Sequence, residues 1–255
     1  MTTIATSRSS MSNKDWLTAD WPAPPNVRTL ITTRAGGVSA APYDSLNLGA
    51  HVGDAAEAVA ANRAILRERL PAAPAWLNQV HGVAVVDAAE LGNAAPDADA
   101  SFARAPGVVC AAMTADCLPV LLCDDAGSVV AAAHAGWRGL CDGVIEAAVA
   151  ATQAKPATLM AWLGPAISPD AFEVGPEVRQ AFLFKDPAAE AAFIGIDNGK
   201  YLVDIYLLAR QRLGKLGIER VYGGDFCTVI DRDRFFSYRR DGVTGRMASL
   251  IWLEN

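Results

Sequence analysis

Three short segments each carry one side chain able to hold a metal ion or move a proton: Gln79-Val80-His81-Gly82, Ala115-Asp116-Cys117-Leu118-Pro119 and His134-Ala135-Gly136-Trp137-Arg138-Gly139. The chain contains only 3 histidines, His51, His81 and His134, so any imidazole chemistry must draw on these. Two imidazoles and a thiolate suit zinc. A structural zinc site normally takes four protein ligands, whereas three leave one position for water or substrate, the catalytic arrangement. Ligands this far apart in sequence share no helix turn, so the group exists only if the fold assembles it. The same residues also suit a duller role, Cys117 as a small buried thiol and each histidine as a hydrogen-bonding cap on a strand end. Around them, Arg34 beside Gly36-Gly37, and Arg138 between Gly136 and Gly139, offer planar forks for phosphate or carboxylate, with glycines that let backbone amides approach an anion. His51, in the loop from Gly49 to Gly53, either contacts a ligand or caps the turn.

His81 and His134 each close an apolar run and precede a glycine turn, the place where side chains converge at a sheet edge. Strands are expected at Val27 to Thr33, Trp76 to Val80, Val83 to Val86, Val108 to Met113, Pro119 to Cys123, Ser128 to Ala133 and Thr158 to Leu163, with further strands near Val221, Phe235 and Met247 to Leu253. Helices are expected from an acidic cap at Asp54 and Glu57 to about Leu70, from Gly139 to about Thr152, from Pro176 to Phe184 and from Tyr201 to Leu216. No linker or internal repeat divides the chain, and the pattern is that of one mixed α+β domain over residues 21–255, preceded by a loose tail at 1–20.

Composition narrows the function. The 255 residues are 52% hydrophobic and 20% charged, enough for a large core, and the net charge of -6 lacks the basic excess of a nucleic-acid binder. No apolar run approaches the roughly 20 residues that cross a bilayer. The Ser/Thr-rich start lacks the apolar core of a secretory signal, and the 5 cysteines form no C-x-x-C pair; a cytoplasmic protein with reduced thiols and no membrane partner is expected. Nothing specifies an oligomeric state.

The three segments, together with Arg34-Ala-Gly-Gly-Val38, Ser45-Leu-Asn-Leu-Gly49, His51-Val-Gly-Asp54, Gly164-Pro-Ala-Ile167, Phe172-Glu-Val-Gly175, Cys227-Thr228 and Phe236-Ser-Tyr-Arg-Arg-Asp-Gly242, resemble the signatures of the multicopper polyphenol oxidoreductase, or laccase-domain, family. The resemblance runs from about residue 30 to the C-terminus. It implies a layered α/β/β/α sandwich similar to the catalytic fold of cytotoxic necrotising factor, with His81, Cys117 and His134 as ligands of a catalytic zinc. It also implies phosphorolysis of adenosine, inosine, guanosine and methylthioadenosine, and deamination of adenosine, at one site, so the expected partners are a nucleoside and phosphate. In that setting Arg34 and Arg138 would hold phosphate, Asn47 and Glu173 would contact sugar or base, His51 would contact ribose, base or phosphate, and Asp116 would orient a group beside the metal. Copper is the alternative ion, but three histidines cannot furnish a blue site plus a trinuclear cluster. The H-x-E with P-C-x-x-C deaminase signature and the H-E-x-x-H peptidase helix are both absent.

Three other readings use the same residues. Some relatives are described as peptidoglycan editing factors, which remove a wrong amino acid from a UDP-linked muramic-acid precursor. A metal-free hydrolase would use Cys117 as nucleophile and His134 as base. A binding module would use the glycine-edged pocket without turnover.

Overall fold

A computed structural model describes residues 16–92 and 95–255. In chain order the elements are β1 (Val27–Ile31), α1 (Ala56–Arg67), β2 (Pro74–Ala75), β3 (Val85–Asp87), β4 (Ala100–Ala103), β5 (Val109–Thr114), β6 (Leu118–Asp124), β7 (Val130–Ala135), α2 (Trp137–Asp142) and α3 (Val144–Thr152). They continue with β8 (Leu159–Leu163), β9 (Glu173–Val174), α4 (Pro176–Lys185), β10 (Phe193–Gly195), β11 (Tyr201–Val203), α5 (Ile205–Lys215), β12 (Val221–Gly223), α6 (Tyr238–Asp241) and β13 (Met247–Leu253).

Strands β5, β6 and β7 are buried at every residue, which explains why they read as continuous apolar runs without polar alternation. They belong to the middle of two sheets, one in the order β1-β13-β5-β2 and one in the order β12-β8-β6-β7-β4-β3, with a small β10-β11-β9 sheet at the side. Residues alternate along each strand between two cores. Ile31, Cys110, Ala112 and Ile251 from the first sheet meet Leu121, Cys123, Ala132 and Trp162 from the second. On the far face of the first sheet, Ala111, Met113 and Leu250 pack with Leu66 of α1 and with Leu46, Leu48 and Leu70. On the far face of the second, Leu122, Ala133 and Ala161 pack against Leu140, Ile145, Val149, Leu208 and Leu213 of α2, α3 and α5. The result is a mixed α/β domain with helices outside two stacked sheets, in the order α/β/β/α. The alanines of β7 suit a strand pressed between two layers, since small side chains let them approach.

Several expected elements differ. The helix expected after Gly139 begins earlier, at Trp137, and breaks at Gly143, whose φ of 107° is a left-handed conformation that favours glycine. The helix expected from Tyr201 starts at Ile205, because the Asp204 carboxylate accepts from Leu207 N at 2.9 Å and caps it; Tyr201–Val203 is a strand instead. Asp54 does not cap α1: its Oδ2 accepts from Ser39 Oγ and Asn47 Nδ2. No strand forms at Phe235, which is buried with Phe236, Ala115 and Met247, and between Trp76 and Val80 only Asn78 bridges, to Asp97. Residues 1–15 of the expected tail lie outside the described residues; Leu17 is hydrogen-bonded to Ile31 through both backbone groups. Among the described residues no helix is long and apolar enough to cross a membrane.

Candidate functional site

The antiparallel pair β6–β7 sets the site. Pro119 lies opposite His134 and Leu118 opposite Ala135, so Cys117, one residue before β6, emerges at the same end of the sheet as the histidine near the end of β7. On the other side, β4 pairs with β7, and the backbone N–H of His134 donates to Asp99 O at 2.7 Å. Asp99 therefore stands where β4 begins, beside His134 and beneath the His81 turn.

Its carboxylate organises both histidines. Oδ1 accepts from His81 N at 3.0 Å and lies 2.8 Å from His134 Nδ1, while Oδ2 accepts from Gly82 N at 2.6 Å and Val80 N at 3.2 Å. This holds the 80–82 turn, in which His81 takes a φ of 61°, and it fixes a proton on Nδ1 of His134, so Nε2, once deprotonated, is the nitrogen a metal would take. Asp99 is only 1% exposed. Burial alone would raise its pKa; hydrogen bonds from His134 and from the Gly82 and His81 amides outweigh that and lower it.

The side chains of His81, Cys117 and His134 converge, with one ligand atom of each within 4.8 Å of the others. Cys117 Sγ lies 3.6 Å from His81 Nε2, and the two imidazole rings stand nearly edge to face at 4.8 Å. Burial would raise the Cys117 thiol, but the adjacent His134 and His81 overcome it and pull the pKa down; reciprocally, burial would lower His134, and the thiolate and Asp99 hold it up. Imidazole nitrogen and thiolate sulfur in one cluster, with a carboxylate behind one ring, form a donor set that fits a zinc-like ion. The group could bind a metal.

The packing explains the glycines. A Cβ on Gly136 would stand 2.7 Å from His81 Cδ2 and 3.0 Å from Cys117 Sγ, and one on Gly139 would stand 2.8 Å from Gly82 O. Both glycines make room for the His81 turn, whereas the sequence suggested that they open a path to an anion.

The three residues line a cavity of about 350 Å³ together with His51, Gln79, Met113, Thr114, Ala115, Tyr238 and Arg246. Gln79 is fixed by a two-way amide pairing with the Met113 backbone, both bonds 2.8 Å. Burial, Arg246 and Arg63 all lower the pKa of His51. The other expected contacts are placed elsewhere. Arg138 is exposed and stacks on Trp137. Arg34 lies in a separate open cleft, donating to Asp44 O and Arg232 O. Glu173 is exposed and paired with Lys200. Asn47 is fully buried, and its side chain bonds Gly49, Asp54 and the Arg246 backbone, a scaffold for the cavity wall. Asp116 faces away from the cluster, accepting from Thr228 Oγ1 and Arg239 N at 2.6 Å each, because its φ of 98° turns it toward the C-terminal loops. Asp99, Tyr238 and Arg246 were not anticipated. Their sequence signals are an aspartate opening an apolar strand, and an aromatic and a glycine-flanked arginine near the C-terminus.

A layered α/β/β/α domain with a mixed imidazole–thiolate cluster at one sheet end is a single-domain mixed α/β protein with a site able to take a metal. Residues 28–254 match the family described as multi-copper polyphenol oxidoreductase laccase, and the chain belongs to that family. It is 57% identical over 241 residues to a purine nucleoside phosphorylase of Pseudomonas aeruginosa, spanning 94% of this chain and 99% of that one. It is also 57% identical over 235 residues to purine nucleoside phosphorylase YfiH of Escherichia coli, spanning 91% and 96%. The crystal structure of a Neisseria meningitidis protein superimposes with a TM-score of 0.93 at 60% identity, covering 95% of this chain and all of that one. YlmD of Geobacillus stearothermophilus gives 0.86 at 29% identity, covering 96% and 98%.

Proposed function

We propose that the protein is a zinc-dependent purine nucleoside phosphorylase acting on adenosine, inosine, guanosine and methylthioadenosine, and that the same cavity deaminates adenosine. The observation that carries this reading is the single cavity in which His81, Cys117 and His134 meet, in a chain whose relatives are named for that activity. In phosphorolysis a phosphate oxygen forms a bond to ribose C1′ with its lone pair. The C1′–N9 bond breaks, its electron pair leaves with the purine, and the base takes up a proton.

His81, Cys117 and His134 would hold the ion, which supplies positive charge and Lewis acidity when bound. Asp99 accepts from His134 Nδ1, so Nε2 is the nitrogen that would meet the ion, and it fixes the turn that carries His81. His51, held neutral by burial and two arginines, can accept or donate a hydrogen bond at the ribose or the base. Tyr238, 60% exposed and lining the cavity, presents an aromatic face to a purine. Zinc rather than copper is favoured because phosphorolysis and deamination exchange no electrons and zinc has no redox chemistry. The test is incubation of purified protein with each nucleoside, with and without phosphate, alongside elemental analysis of the bound metal. Phosphate-dependent release of free base with zinc near one per chain supports the reading. The metal-free hydrolase alternative predicts turnover insensitive to chelators, and the muropeptide-editing alternative predicts release of an amino acid from a UDP-linked precursor.

A further inference from the structure

The two arginines that the sequence offered for phosphate both lie away from the cavity, one exposed on Trp137 and one in a separate cleft. Arg246 is the cation that lines it, with His51, Tyr238 and the three candidate ligands. Its backbone is clamped on both sides: the N–H donates to Asn47 Oδ1 at 2.9 Å, and the carbonyl accepts from Leu48 N at 3.2 Å. The stem lies against Gly49, where a Cβ would come within 2.8 Å of Arg246 Cγ. Asn47, Leu48 and Gly49 thus hold a guanidinium at the cavity wall.

That guanidinium is under-compensated. Nη1 donates to Thr244 O and Gly245 O at 3.1 and 3.0 Å. Among the described residues its side chain makes no other hydrogen bond and no ion pair. Among the described residues the cavity lining contains no carboxylate. Of the groups whose negative charge reaches Arg246, Cys117 comes first and Asp116 second; the Cys117 sulfur is set against His81, and the Asp116 oxygens are occupied by Thr228 and Arg239 N. The Tyr238 ring lies 6.0 Å from the guanidinium carbon and gives it a weak cation–π contact; Nε and Nη2 stay open toward the cavity and present the fork that tetrahedral oxyanions match.

We infer that Arg246 binds inorganic phosphate in this cavity and positions it beside the His81–Cys117–His134 cluster. The assignment rests on the phosphorylase reading for its role in turnover, but the binding event is separable from it. The test is calorimetric titration of the purified protein with inorganic phosphate, for wild type, Arg246→Met and Arg246→Lys, with thermal unfolding of each in phosphate-free buffer. Loss of a charge-assisted fork predicts phosphate affinity lower by roughly 10- to 100-fold in Arg246→Met and by an intermediate factor in Arg246→Lys. Phosphate should raise the melting temperature of wild type and not of Arg246→Met. Should Arg246→Met fail to fold, Arg246→Lys, which keeps a charge and a long stem, carries the comparison. Wild-type phosphate affinity in both variants, or no phosphate binding by wild type, overturns the assignment. Binding of adenosine 5′-monophosphate through Arg246 without binding of inorganic phosphate also overturns it, since the anion would then be carried by the nucleoside. Phosphate binding lost in Arg246→Met while wild type releases no free base leaves the assignment standing and defeats the phosphorylase reading; phosphorolysis with an unchanged phosphate KM in Arg246→Met does the reverse.

Discussion

Asp99→Asn isolates the group on which the site geometry depends. The carboxylate has four donors arranged two to an oxygen, His81 N and His134 Nδ1 on one, Val80 N and Gly82 N on the other. An amide keeps the shape but has only one acceptor atom, so either orientation sets its NH2 against two of these donors. Turned one way, it leaves the Val80 and Gly82 amides without a partner. Turned the other, it leaves His81 N unpaired and donates to His134, moving the imidazole proton to Nε2 where a metal would bind. An unsatisfied buried donor costs about 1–3 kcal/mol; with two donors affected and the turn only part-buried, a loss of about 2–4 kcal/mol in stability is expected. Disturbing the carboxylate behind a metal-binding histidine lowers metal affinity roughly 10- to 100-fold, about 1.4–2.8 kcal/mol. Urea unfolding of metal-free protein reads the first quantity and competition with a chromogenic zinc chelator reads the second. Since the folded pKa of Asp99 is lowered, its stabilisation is complete above its unfolded pKa and fades as pH falls through the folded value, a slope that Asp99→Asn must lack. Zinc affinity within threefold of wild type in a folded Asp99→Asn protein would refute the claim that Asp99 orients the ligands.

Cys117→Ala should lose bound zinc and phosphorolysis together, read by elemental analysis and base release; full turnover in the zinc-free variant would contradict the assignment. Gly136→Ala places a methyl 2.7 Å from the His81 ring and should weaken zinc binding at least tenfold while circular dichroism stays native. In metal-free protein Cys117, its pKa pulled down by two imidazoles, stays thiolate below the ordinary thiol range, whereas burial pushes Cys110 and Cys123 up to about 12. Iodoacetamide at pH 7 should therefore label Cys117 first, its rate falling only as pH drops through the lowered value, with zinc protecting it; mass spectrometry identifies the labelled thiol.

How much of this could be seen in the sequence follows from the range of each interaction. His81, Cys117 and His134 stood out because their residue types are scarce and each sits at a turn beside glycine. The continuous apolar runs of β5, β6 and β7 located the central strands, and their burial on two faces followed from the lack of alternation. Asp99 stayed hidden because its importance arises from the pairing of β4 with β7, a contact across 35 residues that leaves no local mark. Asp116, adjacent to Cys117, was the natural guess, and a left-handed backbone turns it away. Arg34, Arg138 and Arg246 share one local signature, an arginine near glycine, and only the fold decides which of them meets the cavity. The helix boundary at Asp204 was open to reading from its capping type, but the apolar stripe running through Tyr201 and Leu202 masked it.

The most direct test of the account is to incubate zinc-loaded protein with adenosine, with and without inorganic phosphate, and to separate the products. Adenine and ribose 1-phosphate are expected in equal amounts only when phosphate is present, with inosine as the separate product of deamination. Intact adenosine in both incubations, from folded protein with zinc bound, would contradict it.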